Sequence, residues 1–277
     1  MKMKKRLLIV LAAGFGLFFL NTNATAGYLD TGWTNITEYD GLGTSPSNWH
    51  SANEDHEVEP GATTGQKWDM EGFYLSDGTV EAENALTMVG GYNFVTGVPG
   101  YPSGDIFIDI DSGTESPSAY NSDYWEYILD LNFDETNPGN SSYTVYENTG
   151  STVINKTSGG PGGTAGYAWT YGGGGTKVSY NGVNLENLAL NYATYANKSE
   201  IGGGLTGKFH NKVTVDVSFL GPDTGFKAWN TMKCGNDMLF SEGTTSAAVP
   251  EPATIFLLGS GLLGLFGYRK KFRKSKN

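Results

Sequence analysis

The chain has very little cysteine and histidine, the residues that many catalytic and metal sites need. Its 277 residues include one cysteine, Cys234, and three histidines. A single cysteine cannot form a disulfide within the chain, so Cys234 is a buried thiol, a bridge to another molecule or a nucleophile. His50 and His56 match no trusted zinc-binding spacing, and His210 is the histidine nearest to Cys234 in sequence. The buried thiol is the favoured alternative, because free cysteine is among the most buried residue types.

Positive charge is scarce in the middle of the chain. The segment from Gly27 to Val249 contains 8 of the 18 Lys and Arg residues but 28 of the 29 Asp and Glu residues. This body is therefore more acidic than the whole chain, whose net charge is −11. Such a surface repels nucleic acid and attracts cations, so no nucleic-acid partner is expected. Solubility alone explains the charge equally well.

The body also lacks any long stretch of helical periodicity, and its composition favours strands. The whole chain has forty glycines and sixteen tyrosines, most of them in the body, and this composition is typical of strands joined by tight turns. "YWEYILDLNF" and "NKVTVDVSFL" each alternate apolar and polar residues. The predicted apolar faces carry Trp125, Tyr127, Leu129, Leu131 and Phe133 in the first, and Val213, Val215, Val217 and Phe219 in the second. We therefore predict an all-β fold, an antiparallel β-sandwich of the jelly-roll kind, over residues 27–240.

Shorter signals predict the remaining strands and turns. Further strand candidates are "MEGFYL", "ALTMVGGYNF", "DIFIDID", "SYTVYE", "STVINK" and "KVSY". "ENTGST" resembles a hairpin turn between two of them. Residues 158–175 are rich in glycine and predict a loop, whereas residues 182–197 suit either a short helix or a strand with a loop.

The N-terminus has the three parts of a secretory signal peptide. Basic residues precede an apolar stretch from Leu7 to Leu20, and Ala24 and Ala26 then form an A-x-A cleavage site. We predict that residues 1–26 are a signal peptide cut after Ala26. The apolar stretch is too short for the roughly 20 residues of a spanning helix.

The C-terminus contrasts with the polar body. The triplet Pro250-Glu251-Pro252 precedes an uncharged segment, 253–268, and a basic tail, 269–276. The basic residues of this tail include Arg269, Lys270, Lys271 and Arg273. As a helix the uncharged segment reaches about 24 Å, so it spans a membrane only with help from flanking side chains. The basic side chains supply that help and remain on the cytoplasmic side.

This order of proline triplet, apolar helix and basic cluster resembles the PEP-CTERM sorting signal of Gram-negative bacteria. The resemblance implies processing by exosortase, a membrane-embedded cysteine protease or transpeptidase. It also implies an exported surface or matrix protein of an exopolysaccharide producer. On this basis residues 250–276 are the sorting signal, residues 241–249 are a spacer, and the helix is a temporary membrane anchor before delivery to the cell surface or beyond.

One acidic segment suggests a metal site. In "GDIFIDIDSG" the side chains of Asp105, Asp109 and Asp111 share the side of Phe107 on a strand, and hard oxygen ligands suit Ca²⁺. Asp69 and Glu71 could join them if their strand pairs nearby. The alternative is a solvated acidic face, since the segment does not match the EF-hand template.

Aromatic residues in the Gly-rich segment suggest sugar contact. Trp169 and Tyr171 could stack on sugar rings, or they could fold back over a sheet end. Residues 66–133 also resemble, without a diagnostic motif, the strand pattern of carbohydrate-binding β-sandwiches of the DOMON and family-nine type.

Three functional classes follow from these observations. The leading one is a non-enzymatic surface or matrix protein that works with exopolysaccharide in biofilm. The second is a Ca²⁺-dependent carbohydrate-binding or adhesion module. The third is an extracellular hydrolase, although the sequence has no nucleophile elbow and no H-E-x-x-H motif, so no catalytic residue is predicted.

Overall fold

The computed structural model describes residues 26–38, 62–98, 100–110, 125–157 and 168–246. The predicted sorting signal, His50, His56 and Asp111 lie outside these residues. The strands in the described ranges are β1 (Trp33–Asn35), β2 (Thr37–Glu38), β3 (Met70–Ser76), β4 (Ala85–Gly90), β5 (Ile106–Asp109), β6 (Tyr127–Asn132), β7 (Ser142–Glu147), β8 (Val153–Thr157), β9 (Ala168–Gly173), β10 (Thr176–Lys177), β11 (Ser179–Tyr180), β12 (Val183–Asn184), β13 (Leu188–Ala189), β14 (Asn191–Tyr195), β15 (His210–Asp216), β16 (Gly225–Thr231) and β17 (Met238–Thr244). A four-residue helix, α1 (Lys198–Ile201), follows β14.

Two large antiparallel sheets organise these strands. The first sheet has five strands in the order β1-β3-β4-β15-β14. The second sheet has the order β10-β7-β6-β5-β16-β17-β2, and β13 also pairs with β7. The chain visits the second sheet with β2, between β1 and β3 of the first sheet. It moves to the second sheet again after β4, returns with β14, and leaves once more for β16 and β17. Neither sheet is therefore complete until the C-terminal part of the body has folded.

The two sheets pack face to face around one apolar core. The first sheet contributes Phe73, Leu86, Met88, Val213 and Val215, and the second contributes Ile106, Ile108, Leu129, Leu131 and Leu239. Every second residue of a strand faces the same side, so the period-two pattern fills this core. Full burial of each large apolar side chain contributes roughly 1.5–3 kcal/mol. The predicted antiparallel β-sandwich is confirmed.

The outer face of the second sheet is also apolar, and a hairpin covers it. An outer cluster on this face consists of Phe107, Trp125, Ile128, Trp229, Met238 and Phe240. The Trp125 and Trp229 rings stack with centroids 5.6 Å apart. The β8–β9 hairpin places Ile154 and Tyr171 against this cluster. The hairpin thus shields aromatic area that would otherwise face water.

The outer face of the first sheet is covered by a different segment, the N-terminal cap, which comprises residues 27–33. Its Leu29 is buried against Tyr74, Val89 and other apolar residues. Its Tyr28 lies over Lys212, whose Nζ is 4.1 Å from the ring centroid and donates a hydrogen bond of 2.9 Å to the Tyr28 hydroxyl. Burial lowers the pKa of Lys212 to about 8. The cap therefore covers a lysine that the strand pattern assigns to a solvated face.

Two predicted turns or loops differ from the structure. The "ENTGST" segment does not join paired strands, because β7 pairs with β6, β10 and β13 while β8 pairs with β9. The turn at Thr149–Thr152 instead redirects the chain from the sheet to the covering hairpin. Part of the predicted Gly-rich loop, residues 168–173, forms β9. Its backbone pairs with β8, so high glycine content did not prevent strand formation there.

The structure also corrects the predicted face of Trp125 and the predicted start of the spacer. Trp125 is not on the inner apolar face but in the outer cluster, because it precedes the first residue of β6 and stacks on Trp229. The predicted spacer cannot begin at residue 241, because β17 continues to Thr244 and Thr245 is buried. Polar residues there gave the composition of a linker, yet they pair with β16. Residues 182–197 form β12 to β14, which matches the strand alternative and not the helix.

Candidate functional site

Loops from both sheets meet at one end of the sandwich, which we call the polar end. It is formed by the β4–β5 loop (residues 91–105), the β6–β7 loop (residues 133–141) and the β16–β17 turn (residues 232–237). The β16–β17 register pairs Thr231 with Met238, and the β6–β7 register pairs Asn132 with Ser142. Buried polar side chains are concentrated behind these loops.

The β16–β17 turn joins the two sheets through side chains. Asp237 is fully buried, and its carboxylate accepts hydrogen bonds from the backbone N–H groups of Met70 at 2.5 Å and Met238 at 2.9 Å. Asn236 accepts a hydrogen bond from the Thr63 N–H at 2.8 Å and donates one to the Thr63 carbonyl at 3.0 Å. The segment around Cys234 therefore fixes the start of β3 in the opposite sheet.

A buried acid–histidine pair lies next to this junction. The Nε2 atom of His210 is 3.2 Å from Oε2 of Glu71, and both side chains are shielded from solvent. Both residues belong to the first sheet, on β15 and β3. The amide of Gln66 also donates to the Glu71 carboxylate. Such a buried pair holds three segments together, and its burial keeps it out of reach of a substrate.

Asp105 has a structural role at the edge of the polar end. One oxygen accepts a hydrogen bond from the Leu131 N–H at 2.8 Å, and the other accepts one from the Tyr171 N–H at 2.6 Å. The carboxylate thus links β6 to the covering β9 strand. Burial raises the pKa of Asp105 to about 7, while the two backbone hydrogen bonds act in the opposite direction.

An open polar cleft of about 460 Å³ lies at the polar end. Its polar lining comprises Asn132, Asp134, Glu135, Asn140, Ser142 and Lys233. Phe133, Leu131, Val95 and Pro102 supply the apolar part. A volume in the range of roughly 300–1,000 Å³ is typical of small-molecule sites. The lining offers both hydrogen-bond donors and acceptors to a polar ligand.

Local hydrogen bonds shape one wall of the cleft. Asp134 Oδ1 accepts from the N–H groups of Thr136 and Asn137, both at 2.9 Å. The Asp134 N–H donates to Ser141 Oγ at 3.0 Å. This turn holds the β6–β7 loop in one conformation, as side-chain to backbone bonds of Asp commonly do. Asn140 and Ser142 are therefore presented from a defined backbone.

Lys233 connects the cleft to the acidic residues of the outer face. Burial raises the pKa of Asp130, whereas a hydrogen bond with Asn132 and the charge of Lys233 lower it. The same lysine also lowers the pKa of Asp105. Lys233 is exposed, and its ammonium group can therefore contact a ligand in the cleft while facing these carboxylates.

The three predicted calcium ligands do not form one described site. Asp105 is bound to backbone N–H groups, and Asp111 lies outside the described residues. Asp69 and Glu71 lie in or beside β3 of the first sheet, so they do not join the strand of Asp105 and Asp109 in the second. Among the described residues, no group of three or more His, Cys, Asp or Glu side chains could hold a metal ion.

Asp109 instead belongs to an acidic row across the second sheet. Neighbouring strands carry Asp109, Lys227, Glu242 and Glu38 in this order, and Glu126 lies near Asp109 just before β6. Burial raises the pKa of Glu126, and the nearby Asp109 raises it further. Burial and the charge of Glu242 raise the pKa of Glu38, whereas the charge of Lys227 lowers it. The row contains four carboxylates and one ammonium group, so it has excess negative charge.

The two predicted sugar-stacking aromatics lie on β9. The ring of Tyr171 stacks on Tyr146 with centroids 4.2 Å apart, and its hydroxyl donates to the Gly174 carbonyl at 2.5 Å. Tyr171 also packs against the outer cluster. These contacts correspond to the alternative in which the aromatic side chain folds back over a sheet. Trp169 pairs through its backbone with Lys156 on β8, and sugar contact by either residue stays a prediction.

The single cysteine has the environment of a partly buried thiol. Cys234 is half-buried and packs against the inner core. Burial raises the pKa of the thiol, which disfavours the reactive thiolate. Asn236, its nearby polar neighbour in sequence, is occupied by the backbone of Thr63.

Sequence reasoning missed the cleft, although a signal for it was present. The stretch "NFDETNPGN" is rich in Asp, Asn, Pro and Gly between two strands, which predicts a structured turn. Lys233 could not have been assigned to the same site, because it lies about a hundred residues further along and arrives only through sheet pairing.

The described residues contain no helix long and apolar enough to cross a membrane. The predicted anchor helix, 253–268, is outside them. No curated protein and no solved structure is detectably similar to this chain, so the DOMON resemblance is not confirmed. Residues 248–273 do match the family model of the PEP-CTERM protein-sorting motif. The chain therefore carries a PEP-CTERM sorting motif, which implies secretion, C-terminal membrane anchoring and exosortase processing to an extracellular or cell-surface location.

Proposed function

We propose that this chain is a non-enzymatic cell-surface or extracellular-matrix protein that associates with exopolysaccharide in biofilm. The observation that carries the proposal is the sorting motif at residues 248–273. The motif begins just after a β-sandwich whose last strand ends at Thr244. A rigid domain next to a C-terminal sorting motif suits display outside the cell.

Buried charge supports the non-enzymatic role. The Glu71–His210 pair and the carboxylates of Asp105 and Asp237 are all buried and engaged within the fold. Catalytic acids and bases must reach a substrate in a cleft. The open cleft offers amides, hydroxyls, carboxylates and one lysine, which is a lining suited to binding.

The sorting claim is tested by following delivery of two variants. Pro250→Ala alters the proline triplet, and deletion of residues 269–274 removes most of the basic cluster. Both should leave unprocessed protein in the membrane fraction and reduce the surface or released form, as measured by immunoblotting of separated fractions. Ser275→Ala lies outside the matched residues and keeps the charge, so it should be processed normally. Normal processing of both test variants would sink the sorting claim.

The cleft at the polar end provides the polysaccharide contact in this proposal. Sugar hydroxyls both donate and accept hydrogen bonds. The amides of Asn132 and Asn140 offer a donor and an acceptor, and the ammonium group of Lys233 offers donors. The side chain of Asp134 already holds the β6–β7 loop in one conformation through two backbone hydrogen bonds. The loop therefore loses little conformational entropy when a ligand binds.

Polysaccharide binding is tested with the processed protein and purified exopolysaccharide of the producing strain. Loss of one ligand hydrogen bond, to the charged Lys233 or to the neutral Asn140, should weaken binding by several-fold to about tenfold. Lys233→Ala and Asn140→Ala should each show this loss in a co-sedimentation assay. Lys198→Ala removes an equally charged, exposed residue of α1 that does not line the cleft, and this variant should bind normally. Equal binding by all four proteins would remove the cleft from the proposal without affecting the sorting claim.

A further inference from the structure

The N-terminal cap begins at the predicted cleavage point with a change in burial. Gly27 is buried, whereas Ala26 is exposed. The Gly27 nitrogen donates a hydrogen bond of 2.5 Å to Oδ2 of Asp30. The other oxygen of Asp30 accepts from the Gly203 N–H at 2.9 Å. A carboxylate therefore faces the nitrogen atom that cleavage after Ala26 would convert to a free amine.

The backbone around Gly27 is tightly enclosed. A Cβ atom on residue 27 would lie 2.4 Å from both Cα and N of Gly202, so no other residue fits there without displacement. The next two N–H groups donate to the carbonyls of Glu200 and Ile201, at 2.9 and 2.7 Å. Together these contacts fix the first residues of the cap against the end of α1 and the glycines that follow it.

We propose that Asp30 and the Gly202–Gly203 backbone form a receiving site for the α-ammonium group of a mature N-terminus at Gly27. A signal peptidase adds water across the Ala26–Gly27 peptide bond, which leaves a carboxylate on Ala26 and an amine on Gly27 that takes up a proton. The neutral N–H donor is thereby replaced by a charged one. The hydrogen bond to the Asp30 carboxylate is already charge-assisted on the acceptor side, and a charged donor adds direct coulombic attraction between ammonium and carboxylate. Because Asp30 is partly exposed, solvent screens part of this gain.

Removal of the leader therefore strengthens the attachment of the N-terminal cap to the rest of the domain. The cap holds Leu29 in an apolar cluster and places Tyr28 over Lys212. Cleavage then acts on the covering of the first sheet in addition to releasing the protein from its leader. This inference rests on the proposed export, since it needs a leader to be removed.

A double-mutant cycle on the full chain tests the proposal. One change inserts Ser-Ser between Ala26 and Gly27, which keeps the A-x-A site but moves the ammonium group two residues away. The other is Asp30→Asn, which keeps shape and removes charge. The processed proteins are purified, their N-termini are identified by mass spectrometry, and their Tm values are measured. The insertion should lower Tm by about 2–4 °C when residue 30 is Asp, and by clearly less when it is Asn.

Acylation of the α-amine provides a second readout that does not depend on stability. The Gly27 amine of the unmodified processed protein should react several-fold more slowly with an amine-acylating reagent than that of the Asp30→Asn protein. Equal effects of the insertion in both backgrounds, or equal acylation rates, would overturn the proposal. A mature N-terminus at another residue would overturn it and leave export intact, whereas an uncut leader would overturn export as well.

Discussion

Asp105 shows how one carboxylate can govern the stability of a covering element. It is buried, and its two oxygens hold backbone N–H groups from β6 and β9. Displacement of either strand would leave one oxygen of this buried carboxylate without its N–H donor. An unsatisfied buried polar group costs free energy of folding. The residue that suggested a calcium ligand in the sequence is thus committed to the backbone of its own domain.

The pKa of Asp105 gives a pH-dependent prediction. Because burial raises the folded-state pKa to about 7, above an unfolded value of about 3.9, the folded protein binds this proton more tightly. The stability contribution is complete below about pH 4 and is lost as the pH rises through about 7. Between pH 5 and pH 8 this group should cost on the order of 3 kcal/mol of unfolding free energy.

Asp105→Asn should flatten that dependence, because the amide does not titrate. The measurement is the free energy of unfolding by urea at pH 5, 6, 7 and 8. Asp223→Asn is a matched control, since Asp223 is exposed in a turn with φ of 53°, which Asn tolerates well. The same pH slope in the Asp105→Asn protein and the control would contradict the assignment.

Asp237 is a second residue whose side chain acts across the molecule. Its carboxylate binds the N–H of Met70, which begins β3 of the other sheet. Asp237→Asn replaces one acceptor oxygen by an amide group that cannot accept. Loss of a hydrogen bond to a charged group costs about 1.5–3 kcal/mol, so Tm should fall by roughly 3–12 °C. Thermal unfolding followed by circular dichroism measures this; a Tm within 1 °C or so of the unsubstituted protein, in line with ordinary surface changes, would refute the role.

At the scale of elements, the acidic row gives the second sheet a patch of unbalanced charge. Lys227 lies directly opposite Asp109 and Glu242 in the strand register, and such opposite-charge pairs are favourable. Glu126 lies near Asp109, and Glu38 lies near Glu242, so like charges repel at these two places. The four carboxylates outnumber the single ammonium group of the row, which keeps a net negative charge.

In the calcium-dependent alternative a divalent cation relieves this repulsion, although among the described residues no group of three or more His, Cys, Asp or Glu side chains could hold a metal ion. The processed protein should then unfold several degrees higher in millimolar Ca²⁺ than in EDTA, because a ligand that binds only the folded state stabilises it. Calorimetry of the unsubstituted protein and of Asp109→Asn measures the effect, which should shrink in the variant and persist in Asp223→Asn. No shift on adding Ca²⁺ would leave the row as a solvated acidic face and remove the calcium-dependent alternative.

At the scale of the whole molecule, the sequence predicted the sandwich but not its two covers. Period-two alternation in β6 and β15 identified the inner core, because each strand must bury one face. The outer cluster was hidden, since Trp125 precedes its strand and Trp229 lies some hundred residues away. Burial of Lys212 under Tyr28 was equally hidden, because it depends on a segment 184 residues distant in sequence.

The candidate cleft illustrates the same limit. Its turn residues were visible as an Asp- and Asn-rich stretch, and the sorting motif was visible as a contiguous pattern confirmed at residues 248–273. Lys233 joins the cleft only when β16 has paired with β5. Contiguous signals could therefore be predicted from the sequence, whereas sites assembled by long-range strand pairing could not.

The end of β17 determines the height and direction in which the domain is displayed. The Ser246 N–H donates a hydrogen bond of 2.7 Å to Asn84, and only three residues lie between Ser246 and Pro250, so the four Cα–Cα steps form a tether of at most about 14 Å. The strand itself runs about 23 Å from Met238 at the polar end to Thr244. While the anchor remains in the membrane, the opposite end of the sandwich must stay close to the bilayer. The cleft is then carried on the far side, facing the surroundings of the cell.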